Sequence, residues 1–544
     1  MNVAGAVGHA LATLGVRQVF GVVGSGNFHV TNALMDGGAQ FVAARHEGGA
    51  AVMADAYSRM SGTVAALSVH QGCGLTNAMT GITEAAKSRT PMLVLTAEAT
   101  QPLSNFYVDQ PALAHAVGAV SMRVASPVTA VADAAAAYWT ARHDRRTVVL
   151  NLPLDVKSQA VPAGAERLPD PPVLDKVVPE PESVARLAEA IARSRRPVFI
   201  AGRGARSHGA SVASLADTAG ALIATSAVAN GLFHGSPWSL GIVGGFASPL
   251  AAELIRDADL IVAWGCALNM WTTSHGNLIA PDATVVQVDV EAGALGRNRP
   301  ITFGVVGDVG ATAAAVAGAL PERADPGYRT AEVADRIAAR IRWRDESIDD
   351  LSTADRIDPR VLSTALDDIL PAERVLATDS GNFQGYPSAF LSVPDELGFC
   401  MTQAYQSIGL GLATTIGAAL AQPDRLPVAA LGDGGALMSV SELDTVVRLA
   451  LPMVVVVYND DAYGAEVHHF GPHGYDLSTC VFPETDIAAI ARGFGFEGVT
   501  VRTVSDLDAV RQWVGGRRDR PLLVDAKVVK DQPSWWLEEA FRGH

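Results

Sequence analysis

Positive charge is scarce in this chain of 544 residues, where 41 Lys and Arg stand against 57 Asp and Glu and the formal net charge is −16. That balance repels phosphate backbones and anionic headgroups, which excludes nucleic acid and the membrane surface as primary partners. The charges, 18% of residues, are interspersed with hydrophobic residues, 49%, so the acidity does not describe a disordered chain. Cysteine is nearly absent. Cys73, Cys266, Cys400 and Cys480 lie far apart with no CxxC pair, which argues against a zinc site or a disulfide framework and suits a reducing cytosol. Long apolar runs are missing too. The longest, Ile408 to Ala421, is diluted by Gly and Thr and is shorter than the roughly 20 residues of a membrane span. The opening MNVAGAVGHALATLGV carries no basic segment ahead of its apolar residues, its first positive charge being Arg17, so no secretory signal is read there. The expectation is a cytoplasmic protein without a membrane segment.

At ~150 residues per domain, the length is that of three or four domains, with enough chain to build a core without disulfides or a structural metal. Short β-rich runs alternate with Ala-rich stretches, the texture of parallel sheets covered by helices. In the first third the candidate strands are QVFGVV, QFVAAR, VAALSVH, PMLVLTAE and TVVLNLP. Residues 158–184 are rich in Pro and charge without a period and read as a linker. A second block carries PVFIAG, LIVAWG and TVVQVDV. A polar, partly helical stretch follows, and a last block carries RVLATDSG, LPVAALGDGG, PMVVVVYNDD and PLLVDAKV. The predicted fold is α/β: three doubly wound parallel-sheet domains at 1–160, 185–320 and 355–535.

The strongest chemical pattern is Leu431-Gly432-Asp433-Gly434-Gly435 followed, with 24 residues intervening after Gly434, by Asn459-Asp460. Each half ends a predicted strand, where ligands of open α/β sheets gather. Gly432, Gly434 and Gly435 allow a tight turn and a close approach of backbone N–H groups to a phosphate. Asp433 and Asp460 offer hard oxygen ligands for Mg²⁺, whose shell is usually completed by phosphate oxygens and water. Two ordinary strand–helix turns are the plain alternative; Gly307-Asp308-Val309-Gly310 is such a turn, with no partner pair downstream.

With this pairing the sequence resembles the thiamine diphosphate enzymes, in particular the pyruvate decarboxylase, benzoylformate decarboxylase and acetohydroxyacid synthase branch. The resemblance covers nearly the whole chain and implies a pyrimidine-binding, a central and a diphosphate-binding domain, in that order. It implies Mg²⁺ held by Asp433, Asp460 and the carbonyl of Ala462, with Asp at 460 where Asn is commoner in the family. It further implies that Glu47, in Arg45-His46-Glu47-Gly48-Gly49, hydrogen-bonds the cofactor's pyrimidine and promotes removal of the thiazolium C2 proton. Such a glutamate is expected to be buried, with its pKa raised by desolvation. A helix N-terminal acid is its ordinary alternative.

The same resemblance makes Ile408 the aliphatic prop beneath the thiazolium, or else a plain core isoleucine. It puts Ser380 and Asn382, in Asp379-Ser380-Gly381-Asn382-Phe383, near the diphosphate, and Tyr463 beside the cofactor. Ser25, in Gly24-Ser25-Gly26-Asn27, matches benzoylformate decarboxylases, whereas pyruvate decarboxylases carry an aspartate there. His70 matches a benzoylformate decarboxylase histidine and Glu466 a pyruvate decarboxylase glutamate; a structural histidine and a solvated acid are the alternatives. Gln110 lies near a substrate-facing glutamine of acetohydroxyacid synthases, with the register ambiguous by one residue.

Other signals are weaker. Gly202-Arg203-Gly204-Ala205-Arg206-Ser207 lacks the third glycine of a dinucleotide loop, so FAD, which acetohydroxyacid synthases carry in the central domain, has no clear motif. No GxSxG elbow exists. His468, His469 and His473 suggest a metal cluster, but Gly471 and Pro472 break any helix that would align them, and His468 and His469 are read as loop residues near the site rather than zinc ligands. The expected activity is that of a thiamine diphosphate- and Mg²⁺-dependent carboligase of the acetolactate synthase kind, acting on a 2-oxo acid. The alternative is simple decarboxylation to an aldehyde, and a regulatory, non-catalytic paralogue is disfavoured because Glu47 and the metal motif are both present. Active sites lying between chains, in a homodimer or homotetramer, are also implied.

Overall fold

The computed structural model describes residues 1–542 and contains three six-stranded sheets in which every strand pair is parallel. The first sheet holds β1 (Gln18–Gly21), β2 (Gln40–Ala43), β3 (Ala65–Val69), β4 (Met92–Glu98), β5 (Val120–Arg123) and β6 (Thr147–Pro153). The second holds β7 (Pro197–Ala201), β8 (Leu222–Thr225), β9 (Ser239–Ile242), β10 (Leu260–Trp264), β11 (Thr284–Asp289) and β12 (Phe303–Val306). The third holds β13 (Arg374–Thr378), β14 (Phe399–Met401), β15 (Leu426–Gly432), β16 (Val454–Asn459), β17 (Glu497–Val501) and β18 (Leu522–Lys527). The predicted class, three α/β domains with helices flanking parallel sheets, is the one observed.

The first and third sheets share one topology, β2-β1-β3-β4-β6-β5 and β14-β13-β15-β16-β18-β17. In each the direction of winding reverses between the first and third strands, which opens a crevice at their carboxyl ends. The central sheet runs β12-β11-β10-β7-β8-β9, the order of dinucleotide-binding folds, with its reversal between β7 and β10.

The predicted runs account for β1, β2, β3, β4, β6, β7, β10, β11, β13, β15, β16 and β18, all interior except the edge strand β2. β5, β9, β12, β14 and β17, all at sheet edges, together with β8 beside an edge, are not among the predicted runs. A strand between two others with helices on both faces must be apolar throughout, whereas an edge strand is half-solvated and loses that signature; β17 is only partly buried. The linker reading holds for 158–180, which contains neither helix nor strand. The polar stretch after Leu320 is drawn into the central domain: Tyr328, Val333 and Ile337 pack in its core, and the Tyr328 hydroxyl donates to the Leu254 carbonyl at 2.9 Å. Among the described residues no helix is long and apolar enough to cross a membrane.

The first and third domains share one core. The helix Glu47–Ser61 lies against the helix Gly411–Ala421, burying Met53, Leu412 and Ile416 in a cluster that reaches into both sheets. This contact explains the apolar run noted above: Gly411–Ala421 is hydrophobic on all sides because Leu412 through Ala419 are all buried. The two backbones approach so closely that a Cβ added at Gly417 would collide with the Met53 carbonyl oxygen. Gly417→Val is therefore expected to lower stability by about 1–3 kcal/mol, the usual cost of overpacking. The midpoint of urea unfolding measures it, and an unchanged midpoint would contradict the close approach.

Candidate active site

The carboxyl ends of β13, β15 and β16 meet in a cleft of about 1320 Å³. Asp433 opens the helix Asp433–Met438 directly after β15, and Asp460 follows β16. Gly434 and Gly435 are required by what surrounds them. A Cβ at Gly434 would stand 2.6 Å from the Tyr463 ring, and one at Gly435 would collide with the Asp379 carboxylate. Asp433 is 7% exposed, and burial pushes its carboxyl up to about 6 against the hydrogen bond from the Gly434 N–H. Burial raises Asp460 well above the usual carboxylate range, with the neighbouring Asp433 charge adding to it. The nearby cations do not relieve the pair. Arg356 at 2.5 Å and Lys530 at 2.7 Å both bind Asp461 and hold its carboxyl low, although burial alone would raise it. Among the described residues no Lys, Arg or His pairs with Asp433 or Asp460.

This donor set fits a hard divalent cation. Two carboxylates with no counter-charge and the adjacent Ala462 backbone leave the remaining positions to phosphate and water, as Mg²⁺ prefers. Among the described residues no group of three or more His, Cys, Asp or Glu side chains could form a closed metal cage.

Asp379, at the end of β13, is a site residue that the sequence reading passed over. Its buried carboxylate accepts from the N–H groups of Ser380 at 2.8 Å, Gly409 at 2.9 Å and Leu410 at 3.3 Å. It thereby holds the turn that carries Ile408, whose half-buried side chain lines the cleft. Burial keeps the Asp379 carboxyl up at about 6 despite these bonds. Its only sequence signal was its place at a strand end before Ser-Gly. Ser380 and Asn382 line the cleft. The Asn382 side-chain oxygen, however, accepts from the Ser534 N–H at 3.0 Å, which ties the C-terminal segment across the site. Glu466 is exposed on the cleft wall. His468 and His469 lie on the helix Gly464–Phe470 rather than in a loop, and His469 stacks on Phe541 at 3.9 Å. The helix ends only at Gly471, one residue before the proline.

Ser25, Glu47, His70 and Gln110 do not line this cleft. Three of them gather instead at the matching crevice of the first sheet. Ser25 follows β1 and His70 follows β3, with Ser25 Oγ and His70 Nε2 3.4 Å apart. His70 Nδ1 lies 2.8 Å from the Gln71 carbonyl, which can only accept, so Nδ1 carries the proton and Nε2 presents a lone pair toward Ser25. Gly24 is needed here, since its Cβ would stand 2.6 Å from the His70 ring. Asn27, which the sequence reading gave no role, is fully buried. It braces the Ser25 loop by accepting from the Gly24 N–H at 2.8 Å and donating to Ser68 at 3.0 Å. Glu47 accepts from Asn77 at 3.1 Å and is half-buried in the single chain, not enclosed as expected.

Gln110 does not face a substrate. It is 1% exposed, accepts from the Gly72 N–H at 3.1 Å, and donates to the Ala97 carbonyl at 3.1 Å and to Asn151 at 2.8 Å. Both ends of its amide are spent inside the domain, which corrects the expectation.

The cleft extends to the carboxyl ends of β7 and β10, where Arg89, Arg145, Arg203 and Asp289 line it. The protein around Arg203 strips water from its guanidinium and, with Arg59 and Arg145 nearby, lowers its pKa to about 9. Gly202 and Gly204 serve packing between strand ends, because a Cβ at either would run into the Gly265 backbone.

The unrelieved acid pair has a measurable signature. The Asp433 pKa rises from 3.8 to about 6 in the folded chain, so the folded state binds the extra proton and stability falls as pH rises through that window. Metal-free Asp433→Asn is expected to be more stable than the parent at pH 7, by about 1–3 kcal/mol, with no advantage at pH 4. Added Mg²⁺ no longer shifts its midpoint. Parallel stability profiles for the two proteins would contradict this reading of the pair.

Comparison with known proteins agrees with this geometry. Residues 1–122 match the N-terminal TPP binding domain of thiamine pyrophosphate enzymes, 184–316 the central domain and 379–526 the C-terminal TPP binding domain. A sulfoacetaldehyde acetyltransferase of Rhodobacter capsulatus is 29% identical, covering 97% of this chain and 93% of its own length. An acetolactate synthase large subunit of Parasynechococcus marenigrum is 28% identical over 92% of this chain and 83% of its own. A probable 2-ketoarginine decarboxylase of Pseudomonas aeruginosa is 31% identical over 92% and 89%. With two half-sites at equivalent crevices and all three domains matched, the chain belongs to the thiamine pyrophosphate-dependent enzymes.

Proposed function

We propose that this chain is a cytoplasmic, Mg²⁺-dependent enzyme that decarboxylates a 2-oxo acid and joins the remaining fragment to a second carbonyl compound. The observation that carries the reading is the Asp433–Asp460 pair, unneutralised beside Gly434 and Gly435 at neighbouring strand ends. Bound thiamine diphosphate supplies an electron sink for the pair released when the bond beside the carbonyl breaks. Asp433, Asp460 and the Ala462 carbonyl hold Mg²⁺, and the Gly434–Gly435 backbone approaches the diphosphate. Ser380, Tyr463 and Ile408, which line the same cleft, would contact the cofactor, Ile408 as its aliphatic prop. Relatives whose names describe acetyl transfer and acetolactate synthesis support the carbon–carbon ligation step.

Ser25, Glu47 and His70 act from the opposite wall. Because they do not line their own chain's cleft, we assign this wall to a second copy, in a homodimer or a dimer of dimers. Closure by that copy would bury Glu47 and bring its carboxyl within reach of the cofactor's pyrimidine. His70 Nε2, with Ser25 beside it, accepts or returns a proton at the reacting carbon, and Glu466 handles a proton from the cofactor side. This relay favours the second reading, release of an aldehyde without ligation. The strand order of the central domain and Arg89, Arg145 and Arg203 fit the diphosphate of a dinucleotide such as FAD, which has no part in the proposed reaction.

The test is NMR analysis of products after incubation with pyruvate, thiamine diphosphate and Mg²⁺. Acetolactate is the expected product, and Glu47→Gln is expected to lose at least about a hundredfold in turnover, in line with the loss of a proton-transfer group. Acetaldehyde alone would move the assignment to the second reading. Turnover that is unchanged in Glu47→Gln would overturn the proposal.

A further inference from the structure

The duplicated topology of the first and third domains brings two buried carboxylates into equivalent places. Glu84 lies on the helix Met79–Lys87 after β3, and Glu442 lies in the helical stretch after β15. Each is nearly inaccessible, 0% and 2% exposed, and each reaches into the other domain.

Glu84 takes two consecutive N–H groups of the third domain, Ala404 at 3.0 Å and Tyr405 at 2.7 Å. Its charge is balanced by Arg59 at 2.9 Å, which also binds Asp55 at 2.5 Å and donates to the Met401 carbonyl at 2.8 Å. Glu442 does the converse. It takes two consecutive N–H groups of the first domain, Arg45 at 3.1 Å and His46 at 3.0 Å, and accepts from Thr445 at 2.6 Å. Gly49 admits it, since a Cβ there would stand 2.6 Å from the Glu442 carboxylate.

The segments so held are also equivalent. Arg45-His46 follows β2 and delivers Glu47 at the start of the helix Glu47–Ser61. Residues 402–410 follow β14 and deliver Ile408 ahead of the helix Gly411–Ala421. The second segment has no regular structure and bends through left-handed conformations at Gln406 (φ 59°) and Gly409 (φ 86°). Asp379 fixes it after Ile408; Glu84 fixes it before.

We propose that Glu84 and Glu442 are reciprocal positioning residues, Glu84 setting the place of Ile408 and Glu442 that of Glu47. The inference rests on the reading of Ile408 and Glu47 as cofactor-facing groups. Each carboxylate accepts two adjacent backbone donors. Those of Glu84 go to different oxygens, so an amide there would set its NH₂ against an N–H. Those of Glu442 share Oε1, and an amide there would give up the negative charge that strengthens both bonds and the Thr445 hydroxyl's bond to Oε2. Misplacement of a reacting group by about an ångström costs up to about a hundredfold in rate.

The test is the rate of deuterium exchange at C2 of bound thiamine diphosphate, in the full-length protein with Mg²⁺, which needs no knowledge of the substrate. Glu84→Gln and Glu442→Gln are each expected to slow exchange by about tenfold or more while cofactor affinity changes only a few-fold. Glu84→Gln is expected to add nothing to Ile408→Ala, and Glu442→Gln nothing to Glu47→Gln, because each acts through its partner. Losses that multiply within either pair would mean a general structural effect and overturn the proposal, as would unimpaired exchange in both single variants. If either amide variant fails to fold, Glu84→Asp and Glu442→Asp keep the charge and shorten the reach, and the same two outcomes apply to them. Unimpaired exchange in Ile408→Ala and Glu47→Gln themselves would instead remove the reading of those residues and leave the clamps without a target.

Discussion

Parallel strands that lie side by side end side by side, and at the ends of β15 and β16 this geometry sets Asp433 next to Asp460 with the local cations already taken by Asp461. Two carboxylates so placed raise each other's proton affinity, a cost that the divalent cation and diphosphate of the proposed function would relieve. The surrounding residues are subordinate to that arrangement. Gly434 and Gly435 leave room where any side chain would strike Tyr463 or Asp379, and Asp379 turns the backbone so that Ile408 reaches the same cleft.

The rest of the architecture follows from duplication. Two sheets of one topology present two crevices, and the helix pair Glu47–Ser61 and Gly411–Ala421 fuses their domains back to back in a single core. At 15 residues and ~1.5 Å per residue, the first of these helices is about 22 Å long. It carries Glu47 at one end and Arg59, tied to the Ile408 segment, at the other. A chain built this way holds the Glu47 half-site and the acid pair in separate crevices, and the proposed catalytic centre therefore draws one half from a second copy.

Legibility in the sequence divided along physical lines. Most interior strands were readable because two covered faces force continuous apolarity, and most edge strands were not; β2 was read at an edge and β8 was missed inside. The Gly-Asp-Gly and Asn-Asp pairing was readable because glycine and acid recur at a fixed distance at two strand ends. Single carboxylates that clamp backbone N–H groups, such as Asp379, Glu84 and Glu442, leave no comparable pattern, since a lone acid near a helix end is ordinary. Gln110 misled for the converse reason: its position along the chain matched a substrate-facing residue, and only its surroundings show the amide fully engaged inside the domain. The Pro-rich linker was legible from composition, whereas the adoption of Val333 and Ile337 by the central core was not.

The claim on which the account turns is that each catalytic centre joins the acid pair of one chain to the Glu47 wall of another. Mixing two inactive variants, Glu47→Gln and Asp433→Asn, under conditions that allow chains to exchange tests it directly. The account predicts that activity reappears on mixing, because a hybrid dimer contains one centre with neither defect. Persistent inactivity, with exchange of chains verified by mass, would contradict it.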